Sequence, residues 1–189
     1  MNLNKLKSIA LASLLIAIAG CSAAPTHLIV SPQVYLSPSN QLSHKQAQLT
    51  VIDMRTSTHI IQILEQDEAA IILSSKQRLE EIIEALLAKQ WQQQGLAFSD
   101  SAKNKMTVTI EKAVISVEQE TVSYNTQSEI IIKVSIDNGK QTLTSRFKTR
   151  GHSEGALNAD IAVLEREFNQ HLSSLLKQIL SSNDIKTFL

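Results

Sequence analysis

The chain is predicted to fold as an α+β domain, with two amphipathic helices packed on one face of a mostly antiparallel sheet in the order ββαβββα. Three observations carry this expectation. Apolar residues recur at helical spacing in 79–91 and 161–180, apolar and polar residues alternate in 106–117 and 130–147, and Asn138-Gly139 separates two of the alternating runs.

The first twenty residues belong to a different category. Lys5 and Lys7 precede an apolar run from Ile9 to Ala19, which is shorter than the roughly 20 residues a membrane span needs. Ile18-Ala19-Gly20-Cys21 then matches a lipobox, an aliphatic and two small residues before a cysteine. The expectation is cleavage before Cys21 and lipid attachment to its thiol. Two or three acyl chains anchor stably where one holds only marginally. Ser22 rather than Asp follows the cysteine, which favours the periplasmic leaflet of the outer membrane over the inner membrane. Pro25, Pro32 and Pro38 fall in a polar stretch read as a tether, so the expected division is signal peptide 1–20, lipidated cysteine and flexible tether 21–46, and globular domain 47–189. Val30, Val34, Tyr35 and Leu36 are apolar enough to dock on that domain, which leaves docking open.

Within the domain, 48–55 and 59–64 are β-branched runs read as a strand pair, with a further short strand at 69–73. Ser74 and Gln77 have the spacing of a capping box. The helix they would open carries Leu79, Ile82, Ile83, Leu86, Leu87 and Trp91 on one face and stops at Gly95. In 105–118 the apolar phase slips after Lys112, as a bulged strand requires. The Asn138-Gly139 hairpin follows, and then a helix with Asn158 as N-cap and Asp160 in its first turn. Phe188 and Leu189 end a short apolar tail.

Composition narrows the chemistry. Eighteen basic residues balance 18 acidic ones, and losing Lys5 and Lys7 leaves the mature chain two charges negative, without the basic block that nucleic acid would call for. Cys21 is the only cysteine, so its acylation leaves no thiol for a disulfide, a zinc site or nucleophilic catalysis. His27, His44, His59, His152 and His171 show no metal-ligand spacing, and no cofactor or metal is expected. Gly151-His152-Ser153-Glu154-Gly155 matches the nucleophile elbow Gly-x-Ser-x-Gly, with Asp160, Glu165 or Glu167 before His171 in the required order. The preceding strand belongs to a hairpin instead of a parallel sheet, so the glycines are read as a turn from strand to helix and no catalytic residue is assigned. Glu80, Glu81 and Glu84 read as a solvated helix face, and Asp53 with Arg55 as a strand-end pair.

The lipobox, Val51-Ile52-Asp53-Met54-Arg55, the helix ending near Gly95, Tyr124-Asn125, Glu154-Gly155-Ala156 and the terminal Asp184-Ile185-Lys186-Thr187-Phe188-Leu189 stand in an order that resembles the YajG family of small Gram-negative lipoproteins. The resemblance covers nearly the whole chain and implies the address and a single domain, with no enzymatic activity to carry over. The expected function is a non-enzymatic, lipid-anchored periplasmic module that binds an envelope protein partner through an exposed sheet edge or the apolar tail. The alternative is a carrier or sensor of a small amphipathic envelope ligand.

Overall fold

A computed structural model of the protein describes residues 27–189. The signal peptide, the lipobox with Cys21 and the first residues after it lie outside the described residues. Eight strands, β1 (His27–Leu28), β2 (Gln46–Asp53), β3 (His59–Glu65), β4 (Ile71–Ser75), β5 (Ala97–Phe98), β6 (Asn104–Gln119), β7 (Ser123–Asp137) and β8 (Thr142–Ala156), form one sheet. The helices are α1 (Leu79–Gln93), α2 (Ile161–Ser181) and α3 (Asn183–Phe188).

Strand β6 organises the sheet. It pairs antiparallel with β7 along its length, and β7 pairs antiparallel with β8. Asn138 and Gly139 do close the β7–β8 hairpin, but in a longer turn than the two-residue one the dipeptide suggests. Only Gly139 has positive φ, and the Asn138 side chain accepts from the amides of Lys140 and Gln141. The other edge of β6 is shared, with β2 along 104–110 and β3 along 115–119, both parallel. The expected β2–β3 pair is therefore absent, and the two strands follow one another along one edge. Their connection, 54–58, contains no Gly, Asn or Asp, the residues that supply a tight hairpin's positive φ. Strand β4 pairs antiparallel with β3, while β1 pairs parallel with β4 and β5 parallel with β2. The sheet is thus mixed, and the antiparallel expectation holds only for β6–β7–β8 and β3–β4.

The register of β6 slips between Ile110 and Lys112, where the sequence phase slips. Opposite this bulge lies the junction of β2 and β3, filled by Asp53 and Arg55. Arg55 Nη2 donates to Asp53 Oδ2 at 2.7 Å and Nε to Oδ1 at 2.9 Å, while Nη1 reaches the carbonyls of His59 and Ala113 at 3.3 Å each. The two side chains are only 5% and 12% exposed, so the expected strand-end pair is a partly buried clamp on three strands. Burial pushes the Asp53 carboxyl up, but the hydrogen bonds and charge of Arg55 outweigh it and hold the group below its ordinary value.

Both helices bury their apolar stripes in one core with the inner faces of β6 and β7. Helix α1 begins at Leu79 without a side-chain cap, because Ser74 and Ser75 end β4 and pair with His27 and Leu28. The N-cap of α2 is Asp160 rather than Asn158, its carboxylate accepting from the Ala162 amide at 2.8 Å. The chain's last turn is α3, with Ile185 buried and Phe188 and Leu189 packed on the core. The apolar tail is therefore already occupied and is not a free docking segment.

The stretch read as a tether joins this body at its first described residue. Burial alternates from His27 to Val34, with Leu28, Val30, Pro32 and Val34 inward. Each apolar side chain so buried contributes about 1.5–3 kcal/mol. On the other side of the arm, the amides of Ile29, Ser31 and Gln33 donate to Glu165, Asn169 and Ser173 of α2 at 2.8, 2.7 and 2.8 Å. Two residues of extended chain advance about 6.6 Å and four residues of helix about 6.0 Å, so the rungs stay in step. Arg55→Ala is expected to leave the partly buried Asp53 carboxylate unpaired and to lower stability by about 1–3 kcal/mol in urea unfolding at neutral pH, whereas a loss below about 0.5 kcal/mol would reduce the clamp to a surface pair.

Candidate functional site

Helices cover the inner face of the sheet, and the outer face of β6, β7 and β8 is left to charged side chains. Alternation along β8 sends Arg146, Lys148 and Arg150 to this face. The hairpin register sets Arg150 opposite Glu129 of β7. Glu129 receives Lys112 at 2.6 Å, Lys148 at 2.6 Å and Arg150 at 2.7 Å. Glu111, at the bulge, receives Arg146 at 2.9 Å and Lys133 at 3.8 Å. Five cations thus surround two carboxylates, and the face keeps an excess of positive charge on a chain whose basic and acidic residues balance. Hydrogen bonds from Lys112, Lys148 and Arg150, together with the charge of Lys112, outweigh a slight opposing effect of burial and bring the Glu129 carboxyl down to about 2.

Beside this cluster an open groove of about 840 Å³ crosses the sheet from Arg150 and His152 past Glu129 to Arg55, His59 and Gln62. Its far wall is a chain of polar contacts: Ser57 Oγ meets His59 Nδ1, His59 Nε2 meets Gln62 Oε1 at 3.1 Å, and Gln62 Nε2 donates to Ser116 Oγ at 2.9 Å. An amide, in place of a carboxylate, stands behind the imidazole. The arrangement offers cations and neutral donors to a polar or anionic group by charge and hydrogen bonding. Strand β8 bounds the site and, among the described residues, pairs with β7 alone, which leaves its second edge without a described partner along Thr142–Ala156.

The sequence motifs resolve differently. Gly151-His152-Ser153-Glu154-Gly155 lies inside β8 and not in a turn between strand and helix. Ser153 Oγ bonds Thr126 Oγ1 at 2.6 Å, while His171 bonds Ser128 Oγ at 2.8 Å. Asp160 caps α2 and Glu165 holds the arm. The glycines do not turn the chain, as the sequence reading supposed; they make room across the sheet. A Cβ on Gly151 would overlap the His171 imidazole, and one on Gly155 would overlap the ring of Tyr124, its cross-strand partner. Glu80 and Glu81 pair with Arg78 at the start of α1. Among the described residues no three His, Cys, Asp or Glu side chains group closely enough to hold a metal ion. The Glu129 cluster went unread in the sequence. Its signal was Arg146, Lys148 and Arg150 at strand spacing, which becomes a cluster only once the hairpin register faces it with Glu129.

Residues 32–189 match a protein family described as uncharacterized lipoprotein. Among solved structures, the fold is shared with protein XCC0632 from Xanthomonas campestris, of family DUF330, at 12% identity and a TM-score of 0.61, over 87% of this chain and 97% of that one. A Helicobacter pylori homolog of neuraminyllactose-binding hemagglutinin is similar at 10% identity and a TM-score of 0.43, over 86% of this chain and 91% of that one. No curated protein is similar enough in sequence to count as a relative.

Glu129 stays charged in the folded protein down to about pH 2 and loses its charge near 4.5 in the unfolded chain, so its contribution to stability is complete above pH 4.5 and disappears as pH falls toward 2. Glu129→Gln is therefore expected to lower the urea midpoint at pH 7. The variant and wild-type curves should converge as pH falls from 4.5 to 2, and a gap independent of pH would contradict the network.

Proposed function

Starting from the fact that the chain belongs to the YajG family of uncharacterised lipoproteins, we propose that it is a non-enzymatic envelope module that binds an acidic segment of an envelope protein along the β8 edge and the cationic outer face. The observation that carries this reading is the conjunction of a 15-residue strand, whose second edge has no partner among the described residues, with the excess positive charge beside it. An added strand gains main-chain hydrogen bonds from such an edge, and complementary charge selects which strand is accepted. Lysine and arginine on an edge also discourage self-association, so the same residues keep copies of the chain apart while a partner of opposite charge is admitted.

The lipobox supports an anchor at Cys21, and Ser22 supports the periplasmic leaflet of the outer membrane as its location. Among the described residues no helix is long and apolar enough to cross a membrane, which fits attachment by lipid. One observation favours the alternative, a carrier or sensor of a small amphipathic ligand: an open furrow of about 720 Å³ runs between the arm and α1, lined by Val30, Val34, Leu36, Ile82 and Leu86 among others.

In-cell crosslinking of the full-length lipoprotein from a photoreactive residue at Thr144 separates the two readings. The edge reading expects one defined protein adduct that disappears in Cys21→Ala and in Lys148→Glu/Arg150→Glu, and persists in Ser153→Ala. A small molecule or lipid captured from a photoreactive residue at Ile82, with nothing at Thr144, would overturn it in favour of the carrier.

A further inference from the structure

Strand directions gather several loops at one end of the sheet. Strands β3 and β6 finish there, β4 and β7 begin there and β8 finishes there, as the pairs Glu65 with Gln119, Ile63 with Ile71, Gln119 with Tyr124 and Ser123 with Ala156 show. Turns 66–70 and 120–122 and the loop at Leu157 form this rim. Leu64, Ile71, Ile72, Val122 and Leu157 are exposed on it, and they are most of the large apolar side chains exposed among the described residues. Val122 and Leu157, at 69% and 70% exposure, stand at the tips.

The rim is also held firmly. The Leu157 amide donates to the Val122 carbonyl at 2.9 Å. The Gln119 side chain donates to the Ser123 and Leu157 carbonyls and accepts from the Ala159 amide. Leu157 itself has φ +65, a left-handed conformation uncommon for a residue with a branched side chain, and it is kept there with that side chain in solvent.

The anchored end of the chain points the same way. Strand β1 runs parallel to β4 with His27 beside Ser74, so its N-terminal end faces the rim, and Ile71 lies only about 10 Å along β4. Five residues lie between Cys21 and His27, and the steps from one to the other reach at most about 22 Å. The opposite end of the sheet, at turn 138–141, is roughly 45–50 Å away along β7, beyond that reach.

We propose that this apolar rim rests on the surface of the zwitterionic phospholipid layer that holds the Cys21 acyl chains. The proposal rests on the lipid-anchor reading. Charge sets the lipid chemistry. The rim carries Glu65, Asp67, Glu68, Glu118 and Glu120, and the segments 63–73 and 117–124 contain no Lys or Arg. Carboxylates keep their water and are repelled by anionic headgroups, so the apolar tips settle shallowly among zwitterionic headgroups and anionic lipid pushes them away. The cationic face of β8 begins several residues from the rim and stays above the headgroups, open to a protein.

The test uses full-length lipidated protein in vesicles of phosphatidylcholine and phosphatidylethanolamine. A polarity-sensitive fluorophore is placed by Val122→Cys, Leu157→Cys or, as a control, Thr144→Cys. The expected result is blue-shifted emission and several-fold stronger quenching by lipid-borne nitroxide at the two rim positions than at the control, weakened when phosphatidylglycerol replaces a third of the lipid. Rim labels as wet as the control on vesicle-bound protein would overturn the rim contact and leave the anchor standing, as would contact strengthened by phosphatidylglycerol. Protein that fails to float with the vesicles would overturn the anchor itself, and the rim proposal with it.

Discussion

Two strands share one edge of β6, and the point where β2 ends and β3 begins would leave carbonyls of neighbouring strands without partners inside the sheet. A buried backbone group without a partner costs about 1–3 kcal/mol, so the junction needs a polar group that reaches several acceptors at once. Arg55 meets the need. Its guanidinium carries enough donors to hold the Asp53 carboxylate and two carbonyls together, one from β3 and one from the bulged part of β6. The bulge in β6 in turn keeps Met106, Val108 and Ile110 on the same face as Ala113, Ile115 and Val117 across the slip in register, so both helices find one continuous apolar surface.

From that arrangement the molecule acquires two unlike sides. The inner side is closed three times over: by α1 and α2, by the arm laid along α2, and by α3 with the terminal residues. The outer side is polar and charged, and β8 leaves it an open border. The open, charged surface thus belongs to the strands, while the helices, the arm and the C-terminal residues serve the core. The chain's net charge of zero conceals this division, since the carboxylates at the rim and the cations on the outer face offset one another in the sum and not in space.

Periodicity made the elements legible in the sequence. The alternation in β6, β7 and β8, the phase slip at the bulge, and the stripes of both helices are visible without coordinates. Which strands would be neighbours was not legible, because alternation reports the face a residue occupies and is silent on the partner beside it. Hence the two β-branched runs read as a strand pair although β2 and β3 each pair with β6. The arm misled for a related reason. Three prolines and polar residues have the composition of a linker, yet Val30, Pro32 and Val34 already alternate with the polar Ser31 and Gln33, and Glu165, Asn169 and Ser173 already stand four residues apart on α2. Only their juxtaposition turns two unremarkable patterns into a seam. The charged outer face was equally hidden, since Glu129 and Arg150 are distant in sequence until the hairpin register opposes them.

The ladder between the arm and α2 has a consequence for the order in which the protein can assemble. Its rungs join positions 136 to 140 residues apart. The parallel strands β2 and β3 likewise wait for β6, since Arg55 finds the Ala113 carbonyl 58 residues onward. Closing such long loops is slow compared with forming local contacts. A chain emerging N-terminus first can form the β7–β8 hairpin only late, and the N-terminal arm must wait longer still for α2. The N-terminal arm therefore stays free of native pairing with α2 until almost the whole polypeptide has emerged.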